Sequence, residues 1–193
     1  MKKKILISLL ISVCIIAWFW TEGYGLKSNN VTGNSMEQAI SEYTSKVGNV
    51  DRQAEILEDV KLNTDTFLVF TQDESRESVY ASLVREKWNG KWMVLDMSGN
   101  IPLEKHSGET NPYLWATITS DDISGYWGVI YDKDVEKIVL ETESEEEAKI
   151  AEISNFPPIW YKVYSDSSFQ LEGIEELKAI DSQGNEIPWS PHD

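Results

Sequence analysis

The sequence predicts an α+β protein in which one amphipathic helix packs on an antiparallel β-meander, and a β-rich second half with a short helix follows. Three observations support this prediction. Residues 35–48 carry apolar side chains at helical spacing. The Asn89-Gly90 pair, a strong hairpin signal, joins two strand-like runs. Beyond residue 112, short β-branched and aromatic runs alternate with turn-forming residues.

The first helix has a predicted start and a predicted end. Ser35 and Gln38 form a capping-box pattern, and Gly48 is a C-terminal stop. Residues 51–60 are a candidate for a second helical stretch, with a poorer apolar period.

The second half is predicted to contain one short helix among strands. Ser144 and Glu147 form another capping box, with three glutamates in its first turn, which predicts a helix over 144–154. A loop over 98–112, rich in Gly, Asn and Pro, precedes this half. The strand-like runs are 66–71, two within 78–96, and then 113–119, 126–131, 135–142, 159–164, 177–181 and 186–189.

The hairpin at Asn89-Gly90 is expected to have a two-residue loop, in which Trp88 pairs with Lys91. Lys87 then pairs with Trp92, and the two tryptophans point to opposite faces of the meander. Both faces contain apolar residues, and the helix covers only one. One face is predicted to hold Tyr80, Val84, Trp88, Met93 and Leu95, and the other Val79, Ala81, Leu83, Trp92 and Val94.

The N-terminal segment predicts export through a bacterial-type membrane. Three lysines at 2–4 precede an apolar run over 5–20, an order that places the basic end in the cytoplasm. Aromatic residues at the far end favour a retained single-pass anchor, and cleavage after Gly25, which releases the chain, is the alternative. The predicted organisation is anchor or signal peptide (1–25), flexible tether (26–34), helix and meander (35–104), and β-rich subdomain (105–193).

The charge of the exported part excludes some partners. From Leu26 onward, 14 basic and 32 acidic residues give a formal charge of −18. This field repels nucleic-acid phosphates and anionic lipid headgroups, so no nucleic-acid partner is expected.

Catalytic chemistry has no supporting motif. Cys14 lies in the apolar run, and His106 and His192 belong to no catalytic pattern, so no cofactor or metal is predicted. Acidic pairs keep a carboxylate-based hydrolase as an alternative, and Asp132 with Asp134 is better explained as a solvated turn than as half of a calcium site. The acidic candidates are Asp121 with Asp122, Asp132 with Asp134, and Glu172 with Glu175 and Glu176.

The tryptophans beside the hairpin tip are the candidate binding residues. Trp88 and Trp92 are chosen because they flank the turn, and Lys87, expected to face Trp92, is included with them. The Lys87–Trp92 contact is also explained as a simple cation–π or stem-packing pair. The tryptophans within strand-like runs are expected to pack in the core: Trp115, Trp127 and Trp160.

These patterns favour a non-enzymatic, membrane-tethered extracytoplasmic module that binds a protein or cell-wall partner in the envelope. One alternative is a sensory or regulatory domain that acts on another envelope protein. The other is the carboxylate-based hydrolase.

Overall fold

A computed structural model describes residues 31–48, 54–72, 76–105, 111–142, 144–165 and 176–188. The predicted anchor, most of the predicted tether, His106 and His192 lie outside these residues. Among the described residues, no helix is long and apolar enough to cross a membrane. Contacts divide the chain into the units Met1–Val31 and Thr32–Asp193, and the second is the one described below.

The described part of the chain is mostly β, with 58% of its residues in strands and a single helix. The predicted α+β class is therefore wrong, although the antiparallel pairing was expected and every strand pair is antiparallel. The elements are β1 (Thr32–Gly33), α1 (Met36–Gly48), β2 (Glu55–Lys61), β3 (Thr66–Gln72), β4 (Ser78–Glu86), β5 (Trp92–Pro102), β6 (Tyr113–Thr119), β7 (Ser124–Ile130), β8 (Val135–Glu141), β9 (Glu145–Glu147), β10 (Lys149–Ala151), β11 (Ile159–Tyr164), β12 (Glu176–Asp181) and β13 (Glu186–Ile187).

The strands form three sheets. Sheet 1 has the order β1-β5-β4-β3-β2, sheet 2 the order β10-β11-β7-β6, and sheet 3 the order β13-β12-β8-β9. One core cluster joins sheet 1 to sheet 2 through residues such as Phe70 and Trp127, and a second joins sheet 2 to sheet 3 through residues such as Trp160 and Leu140. Sheet 2 is therefore the middle layer, and every residue of β7 is buried.

Helix α1 covers the outer face of sheet 1, as the sequence predicts. Ala39 and Ile40 are fully buried against Val69, Val84 and Val94. The helix start is also as predicted, because the Gln38 amide donates to Ser35 Oγ at 3.2 Å and Gln38 Oε1 accepts from the Asn34 amide at 2.9 Å.

The helix predicted over 144–154 is wrong, because the same residues form strands β9 and β10. Glu146 pairs with Leu140 of β8, and Ile150 pairs with Trp160 of β11, so this segment passes from sheet 3 to sheet 2. Ala148 lies between the two strands and donates its amide to the Ile138 carbonyl at 2.9 Å. Strand partners distant in sequence thus outweigh the local capping pattern.

The second helical stretch proposed over 51–60 is also wrong where it is described, because residues 55–61 form edge strand β2. A register shift between Ile56 and Glu58 directs Ile56 to the helix-side cluster and Leu57 to the cluster between sheets 1 and 2. The predicted loop over 98–112 likewise starts too early, since β5 continues to Pro102 opposite β4.

Candidate binding surface

Among the described residues, the large apolar side chain with the highest exposed fraction lies in the turn between β4 and β5. Trp88 is 99% exposed. Gly90 adopts a φ of 74° and donates its amide to the Lys87 carbonyl at 2.8 Å, while the Lys87 amide donates to the Lys91 carbonyl at 2.7 Å. Residues 87–91, here called the hairpin tip, are thus held by backbone hydrogen bonds with the indole in solvent.

The predicted two-residue loop is wrong, because Glu86 pairs with Trp92 and Lys87 therefore lies opposite Lys91. The loop has three residues, with the left-handed Gly90 in the position that follows a type I turn. Asn89 Oδ1 accepts from the Lys91 amide at 3.2 Å, a side-chain contact that this longer turn accommodates.

Trp92 is half-buried, whereas Trp88 is exposed. The Trp92 ring packs edge-on against Phe67 with centroids 5.4 Å apart, in the cluster beneath helix α1. The structure therefore places Trp88 and Lys87 in the hairpin tip and Trp92 directly after it, at the start of β5.

The faces assigned to β4 and β5 are also different from those predicted. The three-residue loop makes Val84 pair with Val94, and both pack beneath the helix. Leu83 and Leu95 instead belong to the cluster between sheets 1 and 2. The longer loop moves Val94 and Leu95 to the faces opposite those predicted, because a one-residue change of register exchanges the two faces of a strand.

Arg85 connects the base of the hairpin to the rest of the protein. Its Nη2 atom donates to both carboxylate oxygens of Asp122 at 2.8 and 3.1 Å, and its Nε atom donates to Thr66 Oγ1 at 3.1 Å. Asp65 lies 3.8 Å away as a weaker partner. Because Arg85 is only 28% exposed, these bonds restrain the strand that leads into the tip.

Trp115 was predicted to be in the core, but it is 48% exposed. It lies on β6 with its ring centroid 5.8 Å from that of Tyr126. The alternation of residues along β6 could have predicted this exposure. Leu114, Ala116 and Ile118 face the core between sheets 1 and 2, and Trp115 shares the opposite face with exposed threonines. Trp127 and Trp160 are fully buried as predicted.

A groove of about 250 Å³ lies between the β2–β3 turn and strands β9 to β11. Lys61, Lys149 and Lys162 line it, but Glu147 also lines it, and Lys162 forms a 2.8 Å ion pair with Glu146. The local positive charge is therefore largely offset, and the groove is a weaker candidate than the hairpin tip.

Three of the acidic residues considered for hydrolysis have structural partners. Asp122 binds Arg85, Asp132 accepts the Asp134 amide at 3.0 Å, and Glu176 lies 3.2 Å from Lys178. Glu172 and Glu175 lie outside the described residues. The described part of the chain contains no group of three or more His, Cys, Asp or Glu residues arranged to hold a metal.

Glu146 is held in its charged form by its neighbours. The hydrogen bond from Lys162 lowers the pKa of Glu146 below its ordinary value of 4.5, with a further contribution from Tyr164. The pKa of Tyr164 is raised, first by burial and then by the charge of Glu146. This pairing adds strand-to-strand stability between β9 and β11 while the carboxylate remains ionised.

We expect the Glu146 contribution to be present above about pH 4.5 and to be lost as the pH falls through its lowered pKa, because a depressed acid pKa favours folding only when the acid is ionised. Unfolding of Glu146→Gln in urea at pH 7 and pH 3 should show a smaller loss of stability on acidification than the unmodified chain, by about 0.5 kcal/mol. Glu147→Gln, at the neighbouring exposed position, is the control and should behave like the unmodified chain. An equal pH dependence of stability in Glu146→Gln and Glu147→Gln would contradict a specific contribution of ionised Glu146.

Comparison with known proteins provides no relative, since no family model, no curated protein and no solved structure matches this chain.

Proposed function

We propose that this chain is a membrane-tethered extracytoplasmic binding module of the bacterial cell envelope, and that the hairpin tip is its contact surface. The observation that carries the proposal is the 99% exposure of Trp88. Tryptophan is the residue type most enriched among the side chains that dominate binding energy. An indole in water contributes nothing to folding, whereas its burial on binding removes a large apolar area from solvent.

The hydrogen bonds that restrain the hairpin tip are consistent with a role in binding. The turn is closed by backbone hydrogen bonds, and Arg85 ties its base to Asp122. A binding residue on a restrained hairpin loses little conformational freedom when it binds, and such preorganisation increases affinity.

The test is cross-linking and capture with the full-length chain in its own cells. Trp88→Ala should reduce the yield of the captured component by at least about tenfold, because truncating a dominant interface tryptophan costs about 2 kcal/mol or more. Trp115→Ala is the matched control, because it removes another exposed tryptophan from a different sheet.

The control should retain capture near the level of the unmodified chain. Unchanged capture by Trp88→Ala would exclude the hairpin tip as the contact surface. Loss of capture by Trp115→Ala alone would transfer the assignment to the face of β6.

A further inference from the structure

We infer that the hairpin tip binds an anionic lipid bilayer, and that it is a second point of membrane contact for the tethered domain. This inference rests on the proposed function and names the partner of the same surface. Its evidence is the chemistry of the tip, the charge around it, and the place where the chain enters the fold.

The tip combines the two side-chain types that favour a membrane interface. Trp88 presents an amphipathic indole at the outermost point of the turn, and tryptophan is enriched at the level of the headgroups. Lys87 and Lys91 flank the three-residue loop, where the Lys87 amide donates to the Lys91 carbonyl. Lysines at this position attract anionic headgroups, at about 1 kcal/mol each.

The two lysines of the tip differ from other lysines of the fold in their ion pairing. Within the described ranges, no carboxylate lies within ion-pair distance of Lys87 or Lys91, whereas Lys162 and Lys178 are paired with glutamates at 2.8 and 2.7 Å. Glu86 is exposed beside the tip and offsets part of this charge.

The negative charge of the rest of the domain affects how the domain approaches an anionic bilayer. With a formal charge of −18 from Leu26 onward, most of the surface is repelled by an anionic bilayer. Over a screening length of about 8 Å at physiological ionic strength, the headgroups respond mainly to the nearest charges. A cationic and aromatic tip on an acidic body therefore favours an approach with the tip toward the bilayer.

The chain enters the fold next to the tip. Strand β1 pairs with the start of β5, with Gly33 opposite Trp92 and Thr32 opposite Met93. Residues 26–31, between the predicted anchor and β1, can extend to only about 20 Å. The sequence between the predicted anchor and β1 is thus short, and a short tether favours a partner at the membrane over a distant protein partner.

The test places a photo-reactive aromatic residue at the tip. Full-length chain carrying Trp88→benzoyl-phenylalanine is reconstituted in vesicles of phosphatidylcholine with 30% phosphatidylglycerol, irradiated, and analysed for lipid adducts by mass spectrometry. Gln183→benzoyl-phenylalanine, in the exposed β12–β13 turn, is the positional control. We expect lipid adducts at position 88 and at least about tenfold fewer at position 183, because the acidic body holds other turns off the surface.

A charge-matched pair of variants tests the lysines. Lys87→Gln with Lys91→Gln, added to the photo-reactive chain, should lower the adduct yield at position 88 by about fivefold or more. Lys133→Gln with Lys149→Gln changes the net charge equally at two exposed lysines elsewhere and should leave the yield unchanged.

The outcomes separate the lipid inference from the proposed function. Equal adduct yields at positions 88 and 183, or equal effects of the two lysine pairs, would overturn the lipid inference. If irradiation in the producing cells gives a protein adduct at position 88 and vesicles give no lipid adduct, the lipid inference is wrong and the binding function stands. If position 88 gives neither lipid nor protein adducts, both are wrong.

Discussion

Replacing Gly128 by alanine should destabilise the protein by at least about 3 kcal/mol and lower its Tm by about 6 to 12 °C. A Cβ at this position would lie 1.9 Å from the Leu114 carbonyl oxygen and 2.6 Å from Trp160 Nε1. The carbonyl belongs to the backbone of the neighbouring strand β6, so strands β6 and β7 must separate to admit the methyl group. Because sheet 2 is the middle layer, that movement disturbs the cores on both of its faces.

Gly184→Ala is the control for this substitution. A Cβ there meets nothing within 4 Å, and its cost of about 1 kcal/mol comes only from the positive φ of 85°. Thermal unfolding of both variants and the unmodified chain provides the comparison. A cost for Gly128→Ala no greater than that for Gly184→Ala would show that β6 and β7 do not approach as closely as described.

Trp92→Ala and Trp88→Ala should have opposite consequences for folding and binding. Trp92 packs against Phe67 beneath helix α1, and its removal should lower the free energy of unfolding by about 2 to 3 kcal/mol, below the cost for a fully buried tryptophan. Trp88 touches little of the folded chain, so its removal should change stability by no more than about 0.5 kcal/mol.

Urea unfolding of the two variants, in parallel with capture or lipid cross-linking, checks this separation. We expect Trp92→Ala to retain binding wherever the protein remains folded and Trp88→Ala to lose it. Comparable destabilisation by both substitutions would place Trp88 in a packed environment and remove the basis of the proposed function.

The candidate surface was only partly predictable from the sequence. The Asn89-Gly90 signal located the turn, and Trp88 and Lys87 were identified beside it. The predicted pairing of Trp92 with Lys87 was wrong because a three-residue loop with a left-handed Gly90 changes the pairing of every residue beyond it. The bulge in β5 at Leu95, between the pairs Leu83–Asp96 and Val84–Val94, is specified by no local pattern.

The sequence by itself determined the elements whose signals are local. Helix α1 has its cap and apolar stripe within residues 35–48, and strands β6 and β11 coincide with the predicted runs. The tertiary structure alone decided the stacking of three sheets and the strand conformation of Glu145–Glu147 and Lys149–Ala151. The physical reason is that these short segments obtain their hydrogen bonds and buried contacts from β8 and β11, which outweigh a local preference worth only fractions of a kcal/mol per residue.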